Sequence, residues 1–128
     1  MIQQKSFHRG EIWMVDFGQP VGHEQGLKRP AVIISKQELA DTAHIHGLLI
    51  AVPGTSTVQI NAKTKQTRIS CIKVEPSESN GLANTTYFMS EKLRSFSIAR
   101  LGRRIGQLSH RDIKALEQCL CLVMDLFA

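Results

Sequence analysis

The sequence predicts a mainly β fold, a small antiparallel barrel or strongly curved sheet, carrying one C-terminal α-helix. Three observations predict it. Apolar runs of strand length recur between turns rich in Gly, Pro, Ser and Asn. The hydrophobic period changes to three and four residues only after Ser109. With 128 residues and only 5% aromatics, the chain is long enough for one compact core built mostly of Ile, Leu and Val, so residues 1–128 read as a single domain.

Gly10 to Phe17 mixes β-branched and aromatic residues with partial alternation and reads as the first strand. Gly18 to Arg29 is a glycine-rich loop, and Pro30 to Ser35 is an apolar strand whose Pro stands at its start. Lys36 to Thr42 suits a short helical turn. Gly47 to Val52 is a further strand, expected to stop at Pro53-Gly54. Thr67 to Val74 alternates, with Ile69, Cys71 and either Ile72 or Val74 expected to face inward. Glu75 to Asn84 reads as a surface loop, Thr85 to Met89 as a fifth strand, and Ser97 to Leu108 as a sixth, bent at Gly102 or Gly106. Ser109-His110-Arg111-Asp112 has the form of a capping box. Beyond it Ile113, Leu116, Leu120, Val123 and Phe127 mark one face of an amphipathic helix.

Lys and Arg outnumber Asp and Glu by 16 to 11, a formal net charge of +5, which favours a polyanionic partner such as nucleic acid. The three cysteines, Cys71, Cys119 and Cys121, include no C-x-x-C pair, so free thiols in a reducing cytoplasm are expected rather than a zinc or redox site. Met1 to Arg9 has no apolar core of a secretory signal, and no apolar run approaches the roughly 20 residues of a membrane span. His44 and His46 stand two apart near Asp41; on a strand they would share a face, but no third metal ligand has a suitable spacing. No metal or cofactor is expected.

The stretch Gly22-His23-Glu24-Gln25-Gly26-Leu27-Lys28-Arg29-Pro30 places a carboxylate, an imidazole, an amide and two cations on a loop feeding a strand. Together with R-G-E-I-W-x-V-D-F at Arg9 to Phe17, V-P-G-T-S at Val52 to Ser56, and K-L-R-S-F-S with R-L-G-x-x-I-G-x-L at Lys92 to Leu108, it resembles the MazF/PemK/Kid toxin family. The blocks follow the family's order over most of the chain. The resemblance implies a CcdB/MazF-type SH3-like barrel, a homodimer, and a metal-independent, sequence-specific endoribonuclease that inhibits translation by cleaving single-stranded mRNA. It also implies a cognate antitoxin binding across the dimer.

Metal-free RNA cleavage needs a fixed cation and hydrogen-bond donors on the phosphate, with groups to move protons. Arg29 is the leading candidate for the cation, because a guanidinium stays charged and forks onto two phosphate oxygens. Thr55, in the turn after an apolar strand, can offer a hydroxyl beside backbone N–H groups. The resemblance assigns catalysis to both, through the R-P and V-P-x-T motifs. Glu24 is the favoured further active-site group, His23 a possible general acid or base. Gln25 is expected to order the loop or read a base edge, and Ser56 to contact phosphate. Kid-like members carry an Arg-x-Asp pair on a late strand; alignment on Arg94 puts Met89 and Glu91 there, so that pair does not transfer and Glu91 stays a weaker candidate.

Lys28, Arg29, Lys63, Lys65, Arg68, Arg94, Arg103 and Arg104 supply cations for a phosphate-tracking groove, with Lys63 to Arg68 expected as a flexible basic loop over RNA. Phe17, Tyr87 and Phe88 are stacking candidates; core is the competing place for Phe17 and for one of the other two. Cys119 to Phe127 is apolar except for Asp125, more than one core-facing stripe requires, so a second burying surface such as a dimer interface is expected. A basic dimer would suit an acidic, partly disordered antitoxin. The alternatives are a non-catalytic RNA- or protein-binding module on this fold and a gyrase-directed toxin of the CcdB kind.

Overall fold

In the computed structural model, residues 6–23 and 26–126 are described. The described strands are β1 (Glu11–Asp16), β2 (Lys28–Ile33), β3 (Leu48–Thr55), β4 (Cys71–Val74), β5 (Thr86–Met89), β6 (Arg94–Ser97) and β7 (Leu101–Gln107). Two short helices, α1 (Gln37–Asp41) and α2 (Ala43–His46), precede β3, and α3 (His110–Met124) ends the fold. The strands form one antiparallel sheet in the order β4-β5-β3-β2-β1-β7, with β6 also paired to β3. β4 and β7 do not pair, so the expected β fold with a C-terminal helix is present but its sheet does not close into a barrel.

The three central strands are apolar on both faces because each face has its own core. Trp13, Val15, Ala31, Ile33, Leu49 and Ala51 pack on one side with Phe7, Phe17, Phe96 and the alanines of α1 and α2. Ile12, Val32 and Val52 point to the other side, against β4, β5 and α3. This explains why the central strands read as near-continuous apolar runs instead of clean alternation.

Helix α3 starts where its box predicts: the Ser109 hydroxyl accepts a hydrogen bond from the Asp112 amide at 3.1 Å. Its inner face is Ile113, Leu116, Cys119 and Leu120. Val123, expected on that face, is exposed, and Phe127 lies outside the described residues.

Three expectations need correction. β3 does not stop at Pro53-Gly54 but runs on to Thr55. Its outer edge changes partner there: Ala51 pairs with Arg94 of β6, whereas Gly54 pairs with Phe88 of β5. Pro53 falls in the gap between them, where a missing N–H costs that edge no rung. Gly54 is needed at the crossing, since a Cβ there would stand 2.6 Å from the Thr86 methyl and 2.9 Å from the Phe88 ring. Second, only Cys71–Val74 of the predicted fourth strand pairs in the sheet, and Ile69 is 78% exposed. Thr67 instead bridges Ile60 to close a small hairpin. Third, the strand expected over Ser97 to Leu108 is broken by a 3-10 turn at Ile98–Arg100, which divides β6 from β7.

The buried carboxylate of Glu11 ties the start of the chain to β7. It accepts bonds from the His8 amide at 2.7 Å and the Trp13 indole at 3.2 Å, and pairs with Arg104 at 2.6 Å. Arg104 is therefore a structural cation. Cys71 and Cys119 are buried free thiols and Cys121 is partly exposed. No described helix is long and apolar enough to cross a membrane.

Leu116 is fully buried beneath the sheet. Leu116→Ala is expected to lower unfolding free energy by about 2–5 kcal/mol, read from a urea denaturation midpoint. Burial pushes the Cys71 and Cys119 thiols above their ordinary pKa of 9.0. The folded state therefore holds these protons more tightly than the unfolded chain, so the stability they confer is full below pH 9.0 and lost as pH rises past it. A Cys71→Ala/Cys119→Ala double variant should show a shallower alkaline fall in its urea midpoint than the parent.

Candidate active site

The site is set by the pairing of β2 with β3. Ala31 faces Pro53, Val32 faces Val52 and Ile33 faces Ala51. Continued outward, this register puts Arg29 opposite Thr55, two residues 26 apart in the chain. The Arg29 Nη1 donates to Thr55 Oγ1 at 3.4 Å, and its Nε donates to the Gly26 carbonyl at 2.9 Å. The guanidinium is thus aimed from both the loop and the neighbouring strand.

Thr55 is only 6% exposed. Its Oγ1 also accepts a bond from the Thr57 amide at 3.1 Å, a local turn contact. A hydroxyl has two acceptor lone pairs and one proton. With Arg29 and the Thr57 amide on the acceptor side, its own proton is left to donate into the cleft.

That cleft has a volume of about 330 Å³. Arg29, Thr55, Ser56, Lys28 and Arg103 line it, so cations reach it from β2 and β7 and hydroxyls from the end of β3. Its far wall is the segment Gly81 to Asn84 with Thr86. Sequence reading placed Glu75 to Asn84 on the surface but gave it no part in the site. Buried Asn80 organises this wall: its Oδ1 accepts from the Ser77 and Leu82 amides at 2.9 and 3.0 Å, and its Nδ2 donates to the Glu75 carbonyl at 2.9 Å. The Asn80-Gly81 dipeptide is the turn signal that points to it.

The other candidates are distributed differently. Glu24 and Gln25 lie outside the described residues. His23, Glu91 and Arg94 gather at a separate cleft of about 760 Å³ with Val21, Lys92 and Ser95. There the Lys92 ammonium donates to the His23 carbonyl, Glu91 pairs with Arg68 at 3.7 Å, and Arg94 stands 5.1 Å over the Phe17 ring. Lys63 and Lys65 are exposed on the hairpin closed by the Ile60–Thr67 bridge. That segment is no featureless loop, since Asn61 Oδ1 accepts from the Lys63 and Thr64 amides and Arg68 N donates to the Gln59 carbonyl.

Phe17, Tyr87 and Phe88 are all buried in the core, so none offers a stacking face. β5 is buried on both sides, which is why the expected alternation of Tyr87 and Phe88 fails. His44 and His46 sit on α2, not on a strand, and no group of three potential metal ligands exists among the described residues.

The fold is that of small β-sheet toxins. It superposes on MazF from Deinococcus radiodurans with a TM-score of 0.74 at 20% identity, over 96% of this chain and 100% of that one. The Mycobacterium tuberculosis toxin MazF-mt6 gives 0.68 at 19% identity, over 92% and 99%. An endoribonuclease from a mycobacterial species, solved in complex with its cognate antitoxin, gives 0.67 at 18% identity, over 94% and 96%. In sequence, the chain is 32% identical over 122 residues to endoribonuclease MazF9 of Mycobacterium tuberculosis, covering 94% of this chain and 98% of that one. Residues 8–124 match the model of the PemK-like, MazF-like toxin of type II toxin–antitoxin systems. The chain belongs to this family.

Asn80 carries three hydrogen bonds in a buried setting. Asn80→Ala is expected to cost about 1–3 kcal/mol through the amides and carbonyl left unpaired, measured as a lowered urea midpoint.

Proposed function

We propose that this protein is a sequence-specific, metal-independent endoribonuclease toxin that cleaves single-stranded mRNA and is neutralised by a cognate antitoxin. One observation carries the reading: Arg29 and Thr55 share one solvent-reached cleft, 3.4 Å apart. Membership in the toxin family and the similarity to endoribonuclease MazF9 favour a nuclease over the gyrase-directed alternative.

In the reaction, the 2′-hydroxyl oxygen next to the scissile phosphate loses its proton and forms a bond to phosphorus. The bond from phosphorus to the 5′-oxygen breaks, and that oxygen takes up a proton. The products are a 2′,3′-cyclic phosphate and a 5′-hydroxyl. Charge accumulates on the non-bridging oxygens as the five-coordinate state forms. Arg29 meets it with a fixed fork of N–H donors, and Thr55 adds an O–H donor from the opposite strand; preorganised donors of this kind are a large catalytic term. Ser56 and Lys28, at the cleft rim, contact the same or the adjoining phosphate.

Glu24 is assigned to proton transfer, two residues before the Gly26 whose carbonyl holds Arg29. Gln25 is assigned to base reading. His23 and Glu91 stand at the second cleft, where Arg94 and Arg68 extend the RNA path, and Lys63 and Lys65 offer further phosphate contacts from the hairpin.

The partners follow from surface chemistry. Leu122, Val123, Met124 and Leu126 are exposed at the end of α3, with Leu122 at 65% and Leu126 at 56%. A homodimer would bury this apolar end. An acidic antitoxin would meet a chain of net charge +5. The thiols and the basic surface fit a cytoplasmic setting.

Purified protein should cleave long single-stranded RNA in excess EDTA. Arg29→Ala is expected to abolish cleavage while leaving the urea midpoint in place, and Thr55→Val to slow it about a hundred- to thousand-fold. Undiminished cleavage by Arg29→Ala removes the guanidinium from the mechanism, and no cleavage by the parent protein rejects the nuclease.

A further inference from the structure

A second opening adjoins the Arg29–Thr55 cleft between β1 and β7. Its volume is about 690 Å³, and it shares Met14, Lys28 and Arg103 with the first cleft. Arg100 lines it further along. The two openings therefore meet along a wall made of Lys28 and Arg103.

The backbone is irregular where Arg103 emerges. Val15 of β1 pairs with Leu101 of β7, but Trp13 pairs with Arg104, so Gly102 and Arg103 together oppose the single residue Met14. This is a β-bulge, a device that re-aims a side chain and is over-represented beside active sites. Gly102 lets the strands close over it, because a Cβ there would lie 3.2 Å from the Met14 carbonyl. Alternation along the strand then sends the two consecutive arginines to opposite faces, where they do different work. Arg104 turns back to the buried Glu11 carboxylate at 2.6 Å, while Arg103 lines the junction of both clefts.

Arg100 sits on the 3-10 turn before β7, with its Nη1 donating to the Asp16 carbonyl at 3.3 Å. That bond fixes the side chain through a neutral oxygen. Among the described residues no carboxylate lies within ion-pair distance of Lys28, Arg100 or Arg103. Elsewhere Arg9, Arg68 and Arg104 each hold a glutamate. Asp16 also lines the opening, but its Oδ1 accepts from the Gly18 amide and it pairs with none of the three. Three exposed cations outside any ion pair, continuing from the Arg29–Thr55 cleft, match the backbone of a single strand.

We propose that Lys28, Arg103 and Arg100 form a subsite for the phosphates adjoining the cleaved one, with Arg103 set on its bulge to hold the strand as it leaves the Arg29–Thr55 cleft. The proposal rests on the RNA-cleaving reading and adds the direction of the strand, across β2 and out between β1 and β7. Base identity is not read here; the subsite supplies affinity and register.

The test uses full-length protein and a short single-stranded RNA of mixed sequence bearing 2′-O-methyl groups, which lacks the internal nucleophile and survives intact. Binding is measured from low to moderate salt. Each phosphate contact contributes about 0.7 to the slope of log affinity against log salt. Arg103→Gln and Arg100→Gln should each flatten the slope by about that amount and weaken low-salt binding several-fold, with melting temperature unchanged. Arg103→Lys should restore the slope, and Lys36→Gln, at a remote cation paired with Glu38, should leave it alone. Unchanged slopes in both Gln variants overturn the subsite. If the parent binds with the expected slopes yet leaves long unmodified single-stranded RNA of varied sequence uncut, the nuclease reading fails while the subsite stands; if the parent does not bind the probe, the subsite is rejected.

Discussion

The antiparallel register between β2 and β3 is the constraint on which the site depends. A slip of one residue would send each side chain of the moved strand to the opposite face. Here that slip is forbidden by packing on both sides at once. Ala31, Ile33, Leu49 and Ala51 belong to one core and Val32 and Val52 to the other, so a one-residue slip would empty both. Arg29 and Thr55 stand two positions beyond this locked segment. Their meeting is inherited from aliphatic packing that neither takes part in. The cleft exists because β3 forks: β6 covers its first half and β5 its last two residues.

This origin explains what was legible in the residues and what was not. Periodicity and capping gave α3 and its start at Ser109, because local hydrogen bonding and an amphipathic face are both local properties. The apolar runs gave β1, the Pro30–Ile33 part of β2 and most of β3 for a related reason: strands buried on two faces need nothing but apolar residues. Lys28 and Arg29, expected on the loop, instead begin β2, and Ile34 and Ser35 lie beyond its end. The errors fall where a distant partner decides the outcome. Pro53 stops strands in general, yet here the partner change from β6 to β5 makes room for it. Thr67 to Val74 alternates convincingly, but its first half bridges to Ile60 and leaves Ile69 in solvent. The Ile98–Arg100 turn has no sequence signal as strong as the glycines that suggested a bend further on.

The pairing of Arg29 with Thr55 was legible only through motifs; no spacing rule connects positions 26 apart. Asn80 and Arg100 were missed for opposite reasons. Asn80 looks like any turn residue until its side chain is seen holding three backbone groups in a buried loop. Arg100 looks like any surface cation until the bulge beside it shows which way the strand face is turned.

The distribution of charge separates cations that stabilise the fold from those available to a ligand. Among the described residues six ion pairs join a Lys or Arg to a Glu, and the tightest, Arg104–Glu11 and Arg9–Glu117 at 2.6 and 2.8 Å, tie Glu11 to β7 and Arg9 to α3. Removing Arg104 would leave the buried Glu11 carboxylate without its cation, whereas the half-exposed Glu117 would keep Lys114. Lys28, Arg100 and Arg103 have no such duty, and bringing them together costs folding energy through like-charge repulsion. Water and salt keep that cost small, because exposed charges about 10 Å apart are largely screened at ordinary ionic strength. A polyanion lying along the same three groups reverses the sign, since each cation then faces a phosphate and counterions are released. The surplus of 16 basic over 11 acidic residues is therefore best understood by position rather than by total. Carboxylates are spent where the fold must be held, and the row leading away from Arg29 keeps its positive charge exposed where a nucleic acid strand would need it.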